Sequence, residues 1–407
     1  MLTIVCRWLL GLPLLTAFAC APAATAPQAA PLPPAPPAPT SLPAPAVAAV
    51  ARVPFTVDLG GFTTAGELVH PAPDGAHGPG PYPVVLLIHG NGPHDMDVTL
   101  PGAKGQPNGP TKLFLQIADT LAARGCAVVR YHKHFVKGPG RFDARFWREQ
   151  STRLFTADAG KVLDAALGMA PCDRQRVFLY GWSEGTAVAA ALATQRQDID
   201  GLVLQGPCGL PYRAMVQSWI EDVGLPYAQG ADGGAVTNAD LAAAQTGAGG
   251  MVAKLAVSFF VDPASLRTGK PLVSPLLDQN GDGQLDPETE IRAALPDMLD
   301  FAFGPQGNCY IYADGRTVPT VTEQAPKLLM PVLILQGEHD ASTPRRAGVA
   351  LHEALVAAGN RATTLMLLPG LGHTLGPCPS VLEDAGQAPA EATLVPIAAW
   401  LRAQAGG

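Results

Sequence analysis

The chain is 407 residues long and 47% apolar, with 27 Lys+Arg against 34 Asp+Glu for a formal net charge of −7. That length holds one large domain or two ordinary ones, and the apolar share is ample for a core. The basic residues are thinly spread and form no run of the kind that marks a nucleic-acid surface, so nucleic acid is excluded as a partner.

Residues 1–19 read as a signal peptide. Arg7 is followed by an apolar run from Trp8 to Leu15 and then by the small residues Thr16, Ala17 and Ala19 around Phe18. The run is too short for a comfortable membrane span. Cys20 resembles the acylated cysteine of a bacterial lipoprotein, and two readings stay open: a lipid anchor on Cys20, or ordinary secretion. Export is expected either way, to the periplasm, to the outer membrane as a lipoprotein, or to the medium. Residues 20–52 are an uncharged stretch up to Ala51, rich in proline and alanine, and cannot build a core. In extended polyproline form, at about 3.1 Å per residue, residues 21–50 of this stretch would span roughly 90 Å.

From residue 53 the pattern becomes that of a folded domain. Residues 55–59 and 67–69, around Gly60-Gly61, predict an opening hairpin. Strands and helices then alternate: a strand at 84–88, a helix near 113–123, a strand near 127, a helix near 155–168, a strand at 177–180 and another at 201–206. Such alternation predicts an α/β fold, a mostly parallel sheet covered by helices on both faces.

Between the strand at 177 and an Ala-rich helix lies Gly181-Trp182-Ser183-Glu184-Gly185. A strand, a sharp turn and a helix lift the serine off the sheet edge, and the glycines allow close packing where a Cβ would clash. Ser183 is therefore the candidate nucleophile. A serine needs a base, and the base an orienting acid. A strand at 331–336 ends in Gly337-Glu338-His339-Asp340, and one at 363–368 ends in Pro369-Gly370-Leu371-Gly372-His373. Asp340 and His373 thus follow the C-terminal ends of strands, where open α/β sheets place their sites. Glu338 is the alternative acid. The strand at 84–88 runs into His89-Gly90-Asn91-Gly92-Pro93, a turn able to aim the Asn91 N–H at a developing oxyanion. The Glu184 N–H would be the second donor, and His89 a structural residue of the turn.

These motifs resemble the α/β-hydrolase superfamily of serine hydrolases. The stretches His89 to Asp95, Leu121 to Gly125 and Val128 to Tyr131 resemble bacterial esterases related to dienelactone hydrolases and prolyl-oligopeptidase-like enzymes. Those relatives usually read His-Gly-Ser-Gly-Pro, and Arg-Tyr-Asp-Lys after the next strand; here Asn91 and His132 stand for the serine and the aspartate. The resemblance covers residues 53–207 and 331–400. It implies hydrolysis of a small-molecule carboxylic ester through an acyl-enzyme, with no cofactor for catalysis. A peptidase or amidase with the same triad is the nearest alternative, and a non-catalytic surface binding protein on the same fold is another. Nothing in the sequence specifies an oligomeric state.

After residue 207 the alternation breaks, and residues 208–330 read as a cap inserted between the sixth and seventh core strands, far longer than an ordinary connection. Its Tyr212, Trp219, Phe259 and Phe260 are candidates either for a pocket or for the cap's own packing. Residues 278–286 resemble the first nine positions of an EF-hand loop. Side-chain oxygens of Asp278, Asn280, Asp282 and Asp286 and the Gln284 carbonyl would hold a structural calcium, but Thr289 stands where a bidentate glutamate is wanted. The other reading is a solvated polar turn. With Cys6 in the leader and Cys20 at its end, Cys126, Cys172, Cys208, Cys309 and Cys378 remain, enough for two disulfides at most.

Overall fold

The computed structural model describes residues 49–100, 110–229, 233–307, 309–313 and 315–406. The signal peptide, Cys20 and the spacer up to residue 48 lie outside these. Contacts divide the chain into Met1–Val47 and Ala48–Gly407, and the fold belongs to the second unit.

Strands β1 (Val50–Asp58) and β2 (Thr63–Pro71) form the opening antiparallel hairpin, Val50 opposite Pro71. Residues 50–52, expected in the spacer, are strand, because Arg52 is anchored by Glu67 at 3.2 Å and by Asp119. Then follow β3 (Tyr82–Ile88), α1 (Leu113–Ala122), β4 (Ala127–Tyr131), α2 (Thr152–Leu167), β5 (Cys172–Trp182), α3 (Glu184–Gln195) and β6 (Gly201–Gln205). Helix α2 starts three residues before its expected place because the Ser151 hydroxyl caps it, accepting the Leu154 N–H at 3.1 Å.

Between β6 and β7 lie helices α4 (Tyr212–Ser218), α5 (Asn238–Thr246), α6 (Met251–Val257) and α7 (Ala293–Phe303). The chain ends with β7 (Val332–Gly337), α8 (Arg345–Ala357), β8 (Thr363–Leu368) and α9 (Glu391–Gln404).

The eight strands run β1-β2-β4-β3-β5-β6-β7-β8 across one sheet. Only β2 is antiparallel to its neighbours; from β4 onward the pairs are parallel. Strands β3, β4 and β6 are buried along their whole length, as a sheet covered on both faces requires. On one face Phe155, Ala159 and Val162 of α2, the alanines of α3 and Leu351 and Leu355 of α8 pack against it. On the other, Leu113, Phe114 and Ile117 of α1 meet Leu394, Ile397 and Leu401 of α9.

Residues between β6 and β7 also build an apolar cluster of their own, with Val216, Ile220, Leu241, Phe260, Leu285 and Leu299 buried in it. Phe260, considered from the sequence as a pocket residue, is fully buried in this cluster. The five cysteines of the folded unit are free thiols, within the limit of two disulfides that their number set. They are spread over separate layers: Cys126 on the α1 face, Cys172 and Cys208 on the other, and Cys309 in the inserted cluster. Among the described residues no helix is long and apolar enough to cross a membrane.

Candidate active site

Strand β5 ends at Trp182, and Ser183 takes φ 56° and ψ −126° before α3 begins. This is a strained conformation for a residue with a side chain, of the kind kept at functional sites. The elbow can close only on glycine. A Cβ on Gly181 would lie 2.5 Å from the Gly185 carbonyl oxygen, one on Gly185 would collide with the Ile88 carbonyl, and one on Gly90 would reach 3.0 Å from the Ser183 Cβ. Ser183 is half-buried, and its N–H bonds to the Gln205 carbonyl at 2.9 Å.

Asp340 and His373 come together, and the Trp182 ring, one residue before Ser183, lies 5.2 Å from the His373 ring. The Asp340 Oδ2 accepts from His373 Nδ1 at 2.8 Å, and both residues are buried. Asp340 is held in turn by the N–H groups of Ser342 and Thr343, at 2.9 and 2.8 Å, and by the Thr343 hydroxyl at 2.8 Å. Glu338, the alternative acid, is exposed and accepts the Gly370 N–H instead. A Cβ on Gly206 would sit 2.8 Å from the His373 ring, so the end of β6 must also be glycine. Trp182 lies between the two histidines of the site, its ring 5.2 Å from His373 and 5.4 Å from His94. Burial disfavours the His373 imidazolium, but the charge and hydrogen bond of Asp340 outweigh it, and the pKa is raised above its ordinary value. That is the setting of a base whose tautomer is fixed through Nδ1, leaving Nε2 to accept a proton.

Glu184 opens α3, so its N–H has no partner within the helix. Among the described residues the Asn91 N–H donates to no backbone carbonyl. The Glu184 carboxylate, however, does more than the sequence reading gave it. It is 1% exposed and meets Lys133 Nζ at 3.0 Å, Asn91 Nδ2 at 3.0 Å and the Tyr312 hydroxyl at 3.0 Å. Lys133 also donates to the Gly90 carbonyl at 2.7 Å and lies 3.9 Å from the centre of the Phe155 ring. This network explains the departures from the familiar motifs. Asn91, standing for a serine, reaches Glu184 and Tyr312 together, the latter at 2.8 Å. His132, standing for an aspartate, accepts the Met96 N–H at 2.9 Å and ties down the same turn. Lys133 was legible as the last residue of the Arg-Tyr-x-Lys pattern; Tyr312 had no sequence signal. His89 is buried against Phe114 and Tyr131, and among the described residues neither ring nitrogen has a hydrogen-bond partner. His94 donates to the Asn91 carbonyl at 2.5 Å, and its pKa is pushed down to about 4 by burial and by Lys133. His132, His134, His94 and Asp95 each have separate partners and do not gather around one point.

In the loop at 278–290 the Asp278 carboxylate accepts the N–H groups of Gly281, Asp282 and Gly283 at 2.8 to 3.1 Å. Asp282 accepts from Asn280 Nδ2, and Asp286 caps the following turn through the N–H groups of Glu288 and Thr289. Gln284 pairs with Thr237 in a short antiparallel ribbon. Residues 287–292 form a π-turn, whose extra residue turns Glu290, rather than Thr289, back to the N–H groups of Gln279 and Asp286. Among the described residues no group of three acidic, histidine or cysteine side chains is arranged to hold an ion.

Residues 110–229 match a family model described as serine aminopeptidase, S33. The match includes Ser183 and stops before Asp340 and His373. Esterase EstD of Thermotoga maritima is 32% identical over 153 residues, 36% of this chain and 33% of that protein. The chain thus spans about a third of the length of the curated relative it matches. Among solved structures, Est1E from Butyrivibrio proteoclasticus is similar at TM-score 0.44 and 15% identity, over 87% of this chain and 99% of that one. Proline iminopeptidase from Mycobacterium smegmatis is similar at TM-score 0.48 and 18% identity, over 86% and 98%. The strand order, the elbow and the two strand-end loops decide the architecture. This is an α/β-hydrolase fold.

Because Glu184 and Lys133 are both buried, neither tolerates the loss of the other. Lys133→Met should lower stability by about 3–5 kcal/mol, the usual effect of leaving one charge of a buried pair alone. Denaturant unfolding measures it, and a loss under about 1 kcal/mol would mean that water reaches the pair.

Proposed function

We propose that the chain hydrolyses a carboxylic ester through an acyl-enzyme on Ser183. The observation that carries this is the His373–Asp340 contact of 2.8 Å, with the His373 ring against Trp182, the residue before a serine in a strained elbow. The Ser183 oxygen attacks the carbonyl carbon while His373 takes its proton. The N–H groups of Asn91 and Glu184 hold the oxyanion. Collapse expels the alcohol with the proton from His373, and water repeats the attack with His373 as base. Residues 208–330 act as a cap over this site, no cofactor takes part, and the substrate is a small molecule. The matched family description favours a second reading, cleavage of an aminoacyl amide. An aminopeptidase needs a carboxylate for the substrate ammonium, and Glu184, next to the nucleophile, is already paired with Lys133.

Calcium is a separate proposal, with Asp278, Asn280, Asp282, the Gln284 carbonyl and Asp286 as ligands. The ion would compete with the loop's own hydrogen bonds, so its affinity belongs in the weak range, about 10⁻⁴ to 10⁻³ M. Export is a further proposal, resting on the leader and Cys20.

Ser183→Ala should cut turnover by about 10⁶-fold and Asp340→Asn by about 10⁴-fold. Wild type assayed on p-nitrophenyl esters and aminoacyl p-nitroanilides separates the two substrate readings, and a Ser183→Ala protein keeping a tenth of the activity would place the nucleophile elsewhere. With His373 raised, activity should fall on acidification through a pKa above the ordinary imidazole value, since the base must be neutral.

Titration calorimetry with millimolar calcium should give heat with wild type and none with Asp282→Ala; no heat with either leaves a polar turn.

Cys20→Ser should move the protein from the membrane to the soluble fraction if the cysteine is acylated. A wild type already soluble removes the anchor.

A further inference from the structure

Nothing in the sequence pattern marks Asp384, yet it sits behind the triad. It is 6% exposed. Its Oδ2 accepts two backbone N–H groups, that of His373 at 3.0 Å and that of Ala341 at 3.1 Å. One carboxylate oxygen thus joins the loop that carries the base to the residue following the acid. Its main chain adds a third connection. The Asp384 carbonyl accepts the Met251 N–H at 3.1 Å, and the Leu382 carbonyl accepts the Gly250 N–H at 2.7 Å, so the start of α6 in the inserted segment is fastened to the same loop. The fit is close on both sides. A Cβ on Gly372 would collide with Asp384 Oδ1, and one on Gly250 with the Asp384 backbone.

We propose that Asp384 is a positioning residue of the triad: a buried carboxylate that fixes the backbone of both triad loops and sets a second negative charge behind the imidazole. This rests on Ser183, His373 and Asp340 being the working triad. The groups that face His373 are few. From the acid loop come the Asp340 carboxylate and the Thr343 hydroxyl, at 2.8 and 3.4 Å. The elbow contributes the Trp182 ring. From the oxyanion turn comes His94, which is neutral near pH 7 because burial and Lys133 disfavour its charge. Asp384 supplies the remaining charge, and it acts in the same direction as Asp340, holding the imidazolium more firmly. Asp384 itself is pushed up by burial and by the nearby Asp340 charge, while His373 pulls it down. A buried carboxylate is costly unless it is paired or hydrogen-bonded, and Asp384 meets that condition through the backbone N–H groups of His373 and Ala341.

Asp384→Asn keeps an oxygen that can accept both N–H groups, removes the charge and puts an amide NH2 in the place of Oδ1. With less negative charge nearby, the imidazolium is less stable, so the neutral base persists to lower pH. The rate of inactivation of the full chain by a fluorophosphonate, followed against pH, reads the base without assuming a substrate. Its acid limb should move to lower pH in Asp384→Asn. Asp384→Ser, smaller and also uncharged, is read in the same way and covers a failure of the asparagine variant to fold. In Asp384→Ala, where the two loops lose their common anchor, the plateau rate should fall by about 10²-fold, the scale of an ångström-sized misplacement. An acid limb that stays at the wild-type pH in a folded uncharged variant overturns the proposal. A wild type that the probe does not label overturns the triad, and the proposal with it.

Discussion

The structure depends on how closely α3 packs against the end of β3. The helix begins one residue after a serine at φ 56°, and its first turn touches the Ile88 and His89 carbonyls where a Cβ on Gly185 would stand. That closeness brings the start of a helix to the edge of the sheet, and with it the N–H groups and positive end of the helix dipole. It also buries the Glu184 carboxylate at the same spot. A carboxylate in such a place must be paired, and the pair is Lys133, whose remaining donor capacity holds the Gly90 carbonyl. The strained turn, the buried ion pair and the turn at Gly90 are therefore one arrangement. Changing the elbow changes all three.

Much of the site was legible in the sequence because its logic is local. Gly181 to Gly185 fixes an elbow by the sterics of five residues. Asp340 and His373 follow apolar runs of strand length, and the parallel sheet brings the ends of those runs to one edge. The difference between Asp340 and Glu338 is also local: two residues further from the strand, the chain has turned inward and Asp340 is buried, whereas Glu338 still faces solvent. What could not be read depends on distant segments. Asp384 follows His373 by eleven residues, with no strand or helix period to place it. Tyr312 meets Glu184 across 128 positions. The π-turn at 287–292 adds one residue to a helix period, so a count based on ordinary spacing lands on Thr289 when the side chain that returns to the loop is Glu290.

The cysteines show the same limit from the other side. Their number permitted disulfides, but pairing is decided by distance and direction of Cβ vectors. Cys126 faces one layer of helices, Cys172 and Cys208 the other, and the sheet lies between. Burial raises the thiol pKa of Cys126 and Cys172 to about 12, so they behave as small apolar residues rather than as reactive groups.

The segment between β6 and β7 touches the site at three separate points, and this bears on what it can do. Trp219 donates to the Ser342 carbonyl at 2.7 Å, in the acid loop. Gly250 and Met251 bond to the loop after the histidine. Tyr312 reaches Glu184 beside the nucleophile, with its ring stacked 4.3 Å from Tyr212 at the other end of the same segment. A lid that merely covered a finished site would make none of these bonds. Here the Asp340 loop, the His373 loop and Glu184 each take part of their support from the inserted chain. Removing it would leave Glu184 with one neutral donor fewer and the Asp340 and His373 loops without an anchor. The order of the insertion and the placement of Asp340, His373 and Glu184 are thus linked by direct bonds, and the segment belongs to the support of the site as much as to its boundary.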